Sequence, residues 1–404
     1  MTKIGYIVPE FPGQTHIFFW REIKRLEEMG VDVQIVSTRK PPSVIRPHSW
    51  SDEAEQRTTY LAQGGKASTA STLASAAARS NLRAYIKCLR SVARTKVSAS
   101  ERVKLLALIL VGAKLSRIAK EGRWDHMHVH SCANAANITT FASMLSGVPY
   151  SLTLHGPLSD YGPNQSEKWG SAAFGIVITH KLLAEIQSEL GPAIAKKTVI
   201  APMGVDLDTF KRQSVYRPWD GQGLARLYSV GRLNPCKGHD DLIRAVGLLT
   251  QRGIPVHLTI AGQDEQGGGG YQQTLRKLIR ELDLQDRVEM VGAVSEVALR
   301  DGLLSSHVFV LARLHEPLGV AIMEAMALEM PVVVTSAGGV AELVDHQEDG
   351  FLVEAGNPAE MANAIAMVLT DSALAERLAA ASREKIRKGF QDTVSADTLM
   401  RHAF

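Results

Sequence analysis

The chain has 404 residues, of which 45% are hydrophobic, and its formal net charge is +3. This length suffices for two ordinary domains with separate cores, and the small net charge excludes a protein whose overall charge attracts nucleic acid. The cysteines, Cys88, Cys132 and Cys236, are spaced too widely for a disulfide framework or a zinc ligand set, so a reducing cytoplasm is expected.

The apolar segments argue against secretion and membrane insertion. Residues 4–8 form a short strand-like run instead of the apolar core of a signal peptide. The longest nearly uncharged apolar run, residues 105–113, is much shorter than the roughly 20 residues that span a bilayer. We therefore expect a cytoplasmic protein without a transmembrane helix.

Short β-branched runs alternate with helix-like segments in both halves of the chain. This alternation predicts an α/β fold with parallel, doubly wound sheets that helices cover on both faces. In the first half, strands are predicted near residues 4–8, 31–36, 127–130, 150–154, 175–179 and 198–201. In the second half, they are predicted near residues 226–230, 256–261, 288–291, 308–311, 331–335 and 351–353.

The composition changes near residue 210, where a domain boundary is expected. A polar stretch follows with one proline and two glycines, which is typical of an exposed linker. We predict an N-terminal domain over residues 1–210, a C-terminal domain over residues 211–385, and a helical segment over residues 386–404 that crosses back to the first domain. Asp206 and Asp208 resemble a metal-binding pair, but two acids in a linker are usually turn caps.

A basic region extends from residue 79 to residue 123. It contains twelve Lys or Arg and only two acidic residues, Glu101 and Glu121. Two helices are predicted, over residues 81–94 and 101–119, with leucines and cations interleaved. Such a surface attracts anionic lipid, although a solvated helix face has the same pattern. Our hypothesis is peripheral attachment to the inner face of the membrane.

Histidines cluster near two predicted strands of the first half. His126, His128 and His130 alternate along one strand, so they point to one face, as metal ligands can. No carboxylate or cysteine accompanies them as a clear fourth ligand, so a strand that supports a binding cleft is favoured over a metal site. His155 ends the next strand, at the sheet edge where ligands bind in doubly wound folds, although an isolated histidine is more often a surface residue.

A strand–loop–helix turn follows the predicted strand over residues 226–230. Its loop carries Arg232 and Lys237, two cations that can neutralise a diphosphate. Because Gly238 follows Lys237, the order differs from the Gly-Lys-Ser/Thr of a P-loop, and no GxGxxG is present. Taken alone, two such cations are usually solvated surface charges.

A second turn of this kind connects Leu311 to a helix-like run. Gly319 allows a ligand to approach the backbone N–H groups at the start of that helix. The carboxylate of Glu324 can accept two hydrogen bonds from vicinal hydroxyls, such as those of a ribose. The alternative interpretation is that Glu324 pairs with a lysine and that Glu316 caps the helix.

Together these segments resemble the GT-B glycosyltransferases of family 4, particularly those of bacterial exopolysaccharide synthesis, over nearly the whole chain. In that family a Gly-Arg loop, a Lys-Gly pair and a Glu-x7-Glu segment follow one another, as do Gly231-Arg232, Lys237-Gly238 and Glu316 to Glu324 here. The likeness continues in Met203-Gly204-Val205-Asp206, in Glu324-Ala325-Met326-Ala327, and in residues 331–335 and 338–344.

The resemblance implies two Rossmann-like domains that face a central cleft, and it implies an enzyme. Its reaction would move a sugar, with retention of configuration, from a nucleoside diphosphate sugar to a hydroxyl of a saccharide, lipid-linked or small-molecule acceptor. A UDP-sugar is favoured over a GDP-sugar, and neither a metal nor a further cofactor is required.

The resemblance also implies a role for each site residue. Arg232 and Lys237 would bind the donor diphosphate, Glu324 the ribose, and Glu316 and His155 the donor sugar. Val291 would lie near the nucleobase, and Leu318, Gly319 and Val320 would make backbone contacts to the donor. Gly13 would lie in a loop that faces the donor. Two departures leave donor and acceptor choice open. The family often has an aromatic residue at the position of Leu318, and often has Ser-Glu-Thr where this chain has Gly13-Gln14-Thr15.

Two other functions are compatible with the same residues. A sugar-nucleotide epimerase on this two-domain plan would convert the donor without an acceptor. A non-catalytic nucleotide-sugar-binding partner in polysaccharide assembly would bind the donor without turnover. The presence of both glutamates and both cations argues against the second.

Overall fold

The computed structural model describes residues 1–13, 16–41, 48–62, 82–264 and 270–404. They form two compact units. The first comprises most of residues 1–202 together with Ser395–Phe404, and the second comprises Met203–Val394. The division thus falls shortly before position 210, and the end of the chain groups with the first unit.

The first unit is an α/β domain around a parallel sheet. Its strands are β1 (Lys3–Glu10), β2 (Asp32–Arg39), β3 (Thr59–Ala62), β4 (His126–His130), β5 (Tyr150–Leu154), β6 (Phe174–Val177) and β7 (Thr198–Ile200). Its helices are α1 (Ile17–Glu28), α2 (Ser51–Arg57), α3 (Leu82–Arg94), α4 (Ala99–Gly122), α5 (Asn134–Ser146), α6 (Gln165–Ser171), α7 (His180–Leu190) and α8 (Pro192–Ala195), with a 3-10 turn at Leu158–Tyr161. The strand order is β3-β2-β1-β4-β5-β6-β7.

The six strands predicted in the first half are confirmed, but the count is wrong because the sheet has a seventh. The missed strand, β3, is four residues long and, among the described residues, pairs only with β2, at the edge of the sheet. So short a segment carries too few residues to show the alternation that marks a strand. The central strands β4 and β5 are buried along their whole length, because helices cover both faces of a parallel sheet.

The second unit, an α/β domain, contains a six-stranded parallel sheet, as predicted. Its strands are β8 (Ala225–Val230), β9 (Val256–Ala261), β10 (Val288–Gly292), β11 (Val308–Leu311), β12 (Val332–Thr335) and β13 (Phe351–Val353). Its helices are α9 (His239–Gln251), α10 (Tyr271–Glu281), α11 (Glu296–Leu304), α12 (Val320–Ala327), α13 (Val340–Leu343), α14 (Pro358–Thr370) and α15 (Ser372–Gly389), with a 3-10 turn at Pro235–Lys237. The last helix of the chain is α16 (Thr393–Ala403).

The order of the second sheet is β10-β9-β8-β11-β12-β13. The chain runs outward in one direction from β8 and in the other direction from β11, so these neighbouring strands form the topological switch point of the sheet. The first sheet has the same arrangement at β1 and β4. In open α/β sheets, ligands bind beyond the carboxyl ends of the strands at this point.

The predicted helices of the basic region are confirmed as α3 and α4, with residues 79–81 outside the described part of the chain. Helix α4 begins at an N-cap, where the Ser98 side chain accepts a hydrogen bond from the backbone N–H of Glu101. Among the helices of the described residues, none is both long enough and apolar enough to cross a bilayer.

Candidate active site

Two loops of the second unit lie side by side at the switch point. One follows β8 and the other follows β11, and the N–H of Leu314 in the second loop donates a hydrogen bond of 2.9 Å to the carbonyl of Cys236 in the first. Gly238 has φ +64°, and a Cβ there would lie 2.0 Å from the carbonyl oxygen of Ala312. Only glycine permits so close an approach of the two loops.

The loop after β8 places the two predicted cations. The side chain of Asn234 accepts a hydrogen bond of 3.1 Å from the N–H of Cys236, which stabilises the short 3-10 turn that contains Lys237. Arg232 lies in the same loop, and its carbonyl lies 3.3 Å from Nε2 of His239. Burial lowers the pKa of His239 to about 4, so this ring is neutral at pH 7 and adds no charge to the loop.

A compact ion cluster joins the two loops. Nζ of Lys237 lies 3.4 Å from Oε2 of Glu316, and Nη1 of Arg313 contacts the same oxygen. Lys237 and Glu316 are largely buried. Desolvation lowers the pKa of Lys237, while the neighbouring carboxylate acts in the opposite direction. Two cations therefore compensate one carboxylate in a mostly dry environment.

Arg313 is the member of this cluster that sequence reasoning missed. It lies three residues before Glu316, a spacing that alone indicates only a local ion pair. Its carbonyl also accepts a hydrogen bond of 2.5 Å from the hydroxyl of Thr335 at the end of β12. The only available sequence signal was a third cation between the end of β11 and the predicted glutamate.

The backbone of Glu316 is fixed by the turn after β12. The N–H of Gly339 donates a 2.9 Å hydrogen bond to the carbonyl of Glu316. Gly338 has φ +80°, and a Cβ there would lie 2.0 Å from that carbonyl oxygen. The side chain of Glu316 contacts Lys237 and Arg313. The alternative in which it serves as a helix cap is therefore wrong.

Helix α12 begins immediately after this cluster. Its N-cap, Gly319, has φ +105°, and the helix starts at Val320 as the predicted anion-binding turn requires. Glu324 is 4% exposed and lies near the middle of the helix, while Leu318 is buried beside the N-cap. At β10, Val291 is exposed, and the carbonyl of Gly292 accepts a 2.7 Å hydrogen bond from the N–H of Gly262.

The predicted residues of the first unit lie near its own switch point. Gly13 follows β1, and its carbonyl accepts a 3.1 Å hydrogen bond from the N–H of His16; Gln14 and Thr15 are outside the described residues. His155 follows β5 and is partly exposed. Its Nε2 lies 2.9 Å from Nδ1 of His130, and the two rings are stacked. Desolvation lowers the pKa of each of these histidines to about 3.

The three alternating histidines are buried as one set, and they have a carboxylate neighbour that the sequence did not indicate. Oε2 of Glu22, from α1, lies 2.9 Å from Nε2 of His130. Within the described residues, Glu22, His128 and His130 form the group whose spacing suits a metal ion. However, the ring nitrogens of His128 already contact hydroxyls, Ser151 at 2.7 Å and Thr153 at 2.9 Å. Hydrogen bonds therefore account for the burial of this ring.

Asp206 behaves as a turn cap. Its carboxylate accepts a 2.9 Å hydrogen bond from the N–H of Asp208 and a 2.6 Å hydrogen bond from the hydroxyl of Thr209.

The structure brings together Arg232, Lys237, Glu316 and the start of α12 in the second unit. It places Gly13 and His155 in the first unit.

Most of the second unit is similar to a known protein family. Residues 222–385 match the family model described as "Glycosyl transferases group 1". A GDP-mannose-dependent alpha-(1-6)-phosphatidylinositol monomannoside mannosyltransferase of Mycobacterium tuberculosis is 31% identical over 226 residues. That alignment covers 52% of this chain and spans 56% of the length of the relative.

Two further matches extend over nearly the whole chain. A putative colanic acid biosynthesis glycosyltransferase, WcaL of Escherichia coli, is 24% identical over 97% of both chains. The crystal structure of Anabaena Alr3699/HepE in complex with UDP and glucose superposes with a TM-score of 0.73, at 19% identity and with 99% of each chain covered. At this identity the likeness shows the fold, and the predicted GT-B fold of two Rossmann-like domains is confirmed.

Proposed function

We propose that this chain, whose residues 222–385 match the family model of the group 1 glycosyltransferases, transfers a sugar from a nucleoside diphosphate sugar to a hydroxyl group. We further propose that the transfer retains the anomeric configuration and needs no metal ion. The observation that carries the proposal is the cluster of Lys237, Arg313 and Glu316 at the switch point of the second sheet, directly before the N-terminus of α12.

The charges of this cluster suit the departure of a diphosphate. Negative charge grows on the leaving group as its bond to the sugar breaks, and fixed cations in a dry site stabilise that charge strongly. Lys237 is buried and already desolvated, so its ammonium can exchange the 3.4 Å contact with Glu316 for a phosphate oxygen. Arg313 remains on Glu316, so the carboxylate stays compensated after Lys237 turns to the donor.

The other site residues keep their predicted roles within this proposal. Arg232 adds a second cation for the diphosphate, and Glu324 accepts hydrogen bonds from the ribose. The N–H groups at the start of α12, from Gly319 and Val320, bind negative charge because they have no partner within the helix. Glu316 reads hydroxyls of the donor sugar close to the reacting carbon.

Two relatives supply different candidates for the donor base. The mycobacterial relative is named for GDP-mannose, and the Anabaena structure contains UDP and glucose. Our prediction remains a UDP-sugar, with GDP-mannose as the alternative. The acceptor we propose is a growing or lipid-linked saccharide, because the Escherichia coli relative, matched over 97% of both chains, is named for colanic acid biosynthesis.

The exposed face of α3 supports the proposal of peripheral membrane attachment. Leu82 is 74% exposed and Leu89 is 50% exposed, and Ile86 lies on the same face at helical spacing. Exposed cations, Lys87 and Arg90 among them, surround these side chains. A face that mixes leucine with lysine and arginine fits an anionic lipid surface, where apolar side chains insert beneath the headgroups.

Attachment is tested by sedimentation with vesicles that contain anionic lipid. The parent protein should bind them and should not bind neutral vesicles. Charge reversal by Lys87→Glu together with Arg90→Glu should abolish the binding without changing the melting temperature. Equal binding by the parent and the double variant would reject the proposal.

The transferase activity is tested by a donor screen followed by turnover. Thermal stabilisation by UDP-glucose, UDP-N-acetylglucosamine or GDP-mannose identifies the donor, because a ligand specific to the folded state raises the melting temperature. Transfer to saccharide acceptors is then measured with the product anomer read by NMR, in the presence and absence of EDTA. Inversion of the anomer or loss of activity in EDTA would contradict the retaining, metal-independent mechanism. Donor conversion without an acceptor would identify an epimerase instead.

A further inference from the structure

Four side chains of the first unit form a linear chain of polar contacts that ends at His155. The hydroxyl of Tyr6 donates a 2.5 Å hydrogen bond to Oε2 of Glu22. The same oxygen lies 2.9 Å from Nε2 of His130, and Nδ1 of His130 lies 2.9 Å from Nε2 of His155. Tyr6, Glu22 and His130 are each at most 1% exposed. Polar atoms so deeply buried are costly unless they satisfy one another.

The positions of the protons along this chain follow from the atoms that face one another. A neutral imidazole has one N–H and one lone pair. Nε2 of His130 lies 2.9 Å from a carboxylate oxygen without the angle of a hydrogen bond, and at that distance in a dry interior the positive hydrogen of an N–H is attracted to the oxygen, whereas a lone pair is repelled. The proton of His130 is therefore on Nε2, and its Nδ1 is an acceptor. His155 must then donate from its own Nε2.

Both rings are held neutral by their surroundings. Desolvation lowers the pKa of His130 and of His155 to about 3, so neither is an imidazolium at pH 7. Burial and the adjacent carboxylate raise the pKa of Tyr6 well above its ordinary value, so its hydroxyl remains a donor. Each proton along this chain of contacts therefore has one position.

We propose that Glu22 and His130 are positioning residues that hold His155 as its Nε2–H tautomer and so present the lone pair of Nδ1 to a hydroxyl of the bound sugar. The tautomer follows from the contacts of the first unit alone, whereas the identity of the ligand as a sugar rests on the proposed function. His155 is suited to this task because it is partly exposed and lies at the carboxyl edge of β5. An acceptor oriented before the ligand arrives avoids the cost of ordering it during binding.

The neighbouring contacts favour a proton chain over a metal ion. Glu22, His128 and His130 have ligand atoms within 4.8 Å of one another. However, His128 uses its nitrogens on Ser151 and Thr153, and the nitrogens of His130 face Glu22 and His155. An ion would have to displace these contacts, since each imidazole nitrogen offers a single lone pair.

The tautomer is measured by NMR on protein labelled with ¹⁵N-histidine, because protonated and unprotonated ring nitrogens have well-separated shifts. The His130 and His155 signals are assigned from their loss in His130→Asn and His155→Asn. In the parent at pH 7, we expect His155 to be protonated on Nε2 and bare on Nδ1. In Glu22→Leu the oxygen that faces Nε2 of His130 is removed, so the proton of His130 is no longer held on Nε2 and part of the His155 population should become protonated on Nδ1.

Turnover should follow the tautomer. In Glu22→Leu, kcat/KM should fall roughly threefold or more, because in part of the molecules the lone pair that accepts from the sugar is replaced by an N–H. Ser151→Ala is the matched control. It removes a hydroxyl that contacts His126 and His128 on the same strand, so it should lower stability while the signals of His155 keep their parent pattern.

If the His155 signals of the parent protein show protonation on Nδ1, the proposal is overturned. This measurement does not depend on whether any variant folds. An identical His155 pattern in the parent and in a folded Glu22→Leu protein would also overturn it. The NMR result is independent of substrate. A tautomer that switches in a protein unable to turn over any donor would support the proton chain and reject the proposed function.

Discussion

Replacing Arg313 with methionine tests whether this residue compensates Glu316 while Lys237 serves the donor. In the parent, both cations contact Oε2 of Glu316, and the carboxylate is largely buried. In Arg313→Met, only Lys237 remains on this oxygen. Donor binding must then break the remaining pair, which leaves a buried carboxylate without a counter-charge.

The magnitude follows from the burial of Glu316. Removing one partner from a fully buried ion pair costs roughly 3–5 kcal/mol. Since the Glu316 side chain keeps 11% of its exposure, about 2–3 kcal/mol is a reasonable expectation for the loss of donor affinity. At 1.4 kcal/mol per tenfold change, the donor Kd should rise by a factor of roughly 30–150.

The assay is calorimetric titration of the donor identified by the screen, with Arg313→Lys as the matched control that keeps the charge. The lysine variant should recover part of the affinity. The double variant Arg313→Met, Lys237→Met should lose less than the sum of the two single losses, because both cations act on one carboxylate. A Kd for Arg313→Met within twofold of the parent, or strictly additive losses, would refute this reasoning.

Other predictions concern the remaining site residues and the fold. Glu324→Ala should mainly weaken donor binding, whereas Glu316→Ala should mainly reduce kcat; equal effects on Kd and kcat would undo the assignment of separate roles. Burial lowers the pKa of Lys168 from 10.5 to about 8, so relative to Lys168→Met the free energy of unfolding should be lowest below pH 8 and rise by about 3 kcal/mol up to pH 10.5. Urea unfolding at pH 7 and pH 10 measures that difference, and a constant offset between the proteins would contradict it. Gly238→Ala should abolish donor stabilisation and lower the melting temperature markedly, because a Cβ there meets a backbone carbonyl at 2.0 Å. Gly221→Ala, with φ +82° in open space, should cost only about 1 kcal/mol, and equal losses in the two variants would show that backbone strain alone is responsible.

The sequence alone determined the two sheets and the loops that matter. β-branched runs marked twelve strands, because a strand buried on both faces must be apolar along its length, and only the short edge strand β3 escaped this signal. Glycines in front of predicted helices marked the turns, as at Gly238 and Gly319, which are the N-caps of α9 and α12. The order of the motifs then indicated the resemblance to a family of glycosyltransferases.

Only the tertiary structure decided which charges meet. Lys237 and Glu316 are 79 residues apart, and they come together because β8 and β11 are neighbours at the switch point. The sequence did not predict that Arg313 belongs to the cluster, because a cation close to a glutamate in sequence indicates only a local ion pair. Glu22 faces His130 because α1 packs against the strand that carries the histidines, 108 positions further along the chain. The sequence records which groups are present, but burial, and with it the requirement that these groups satisfy one another, arises only when the chain folds.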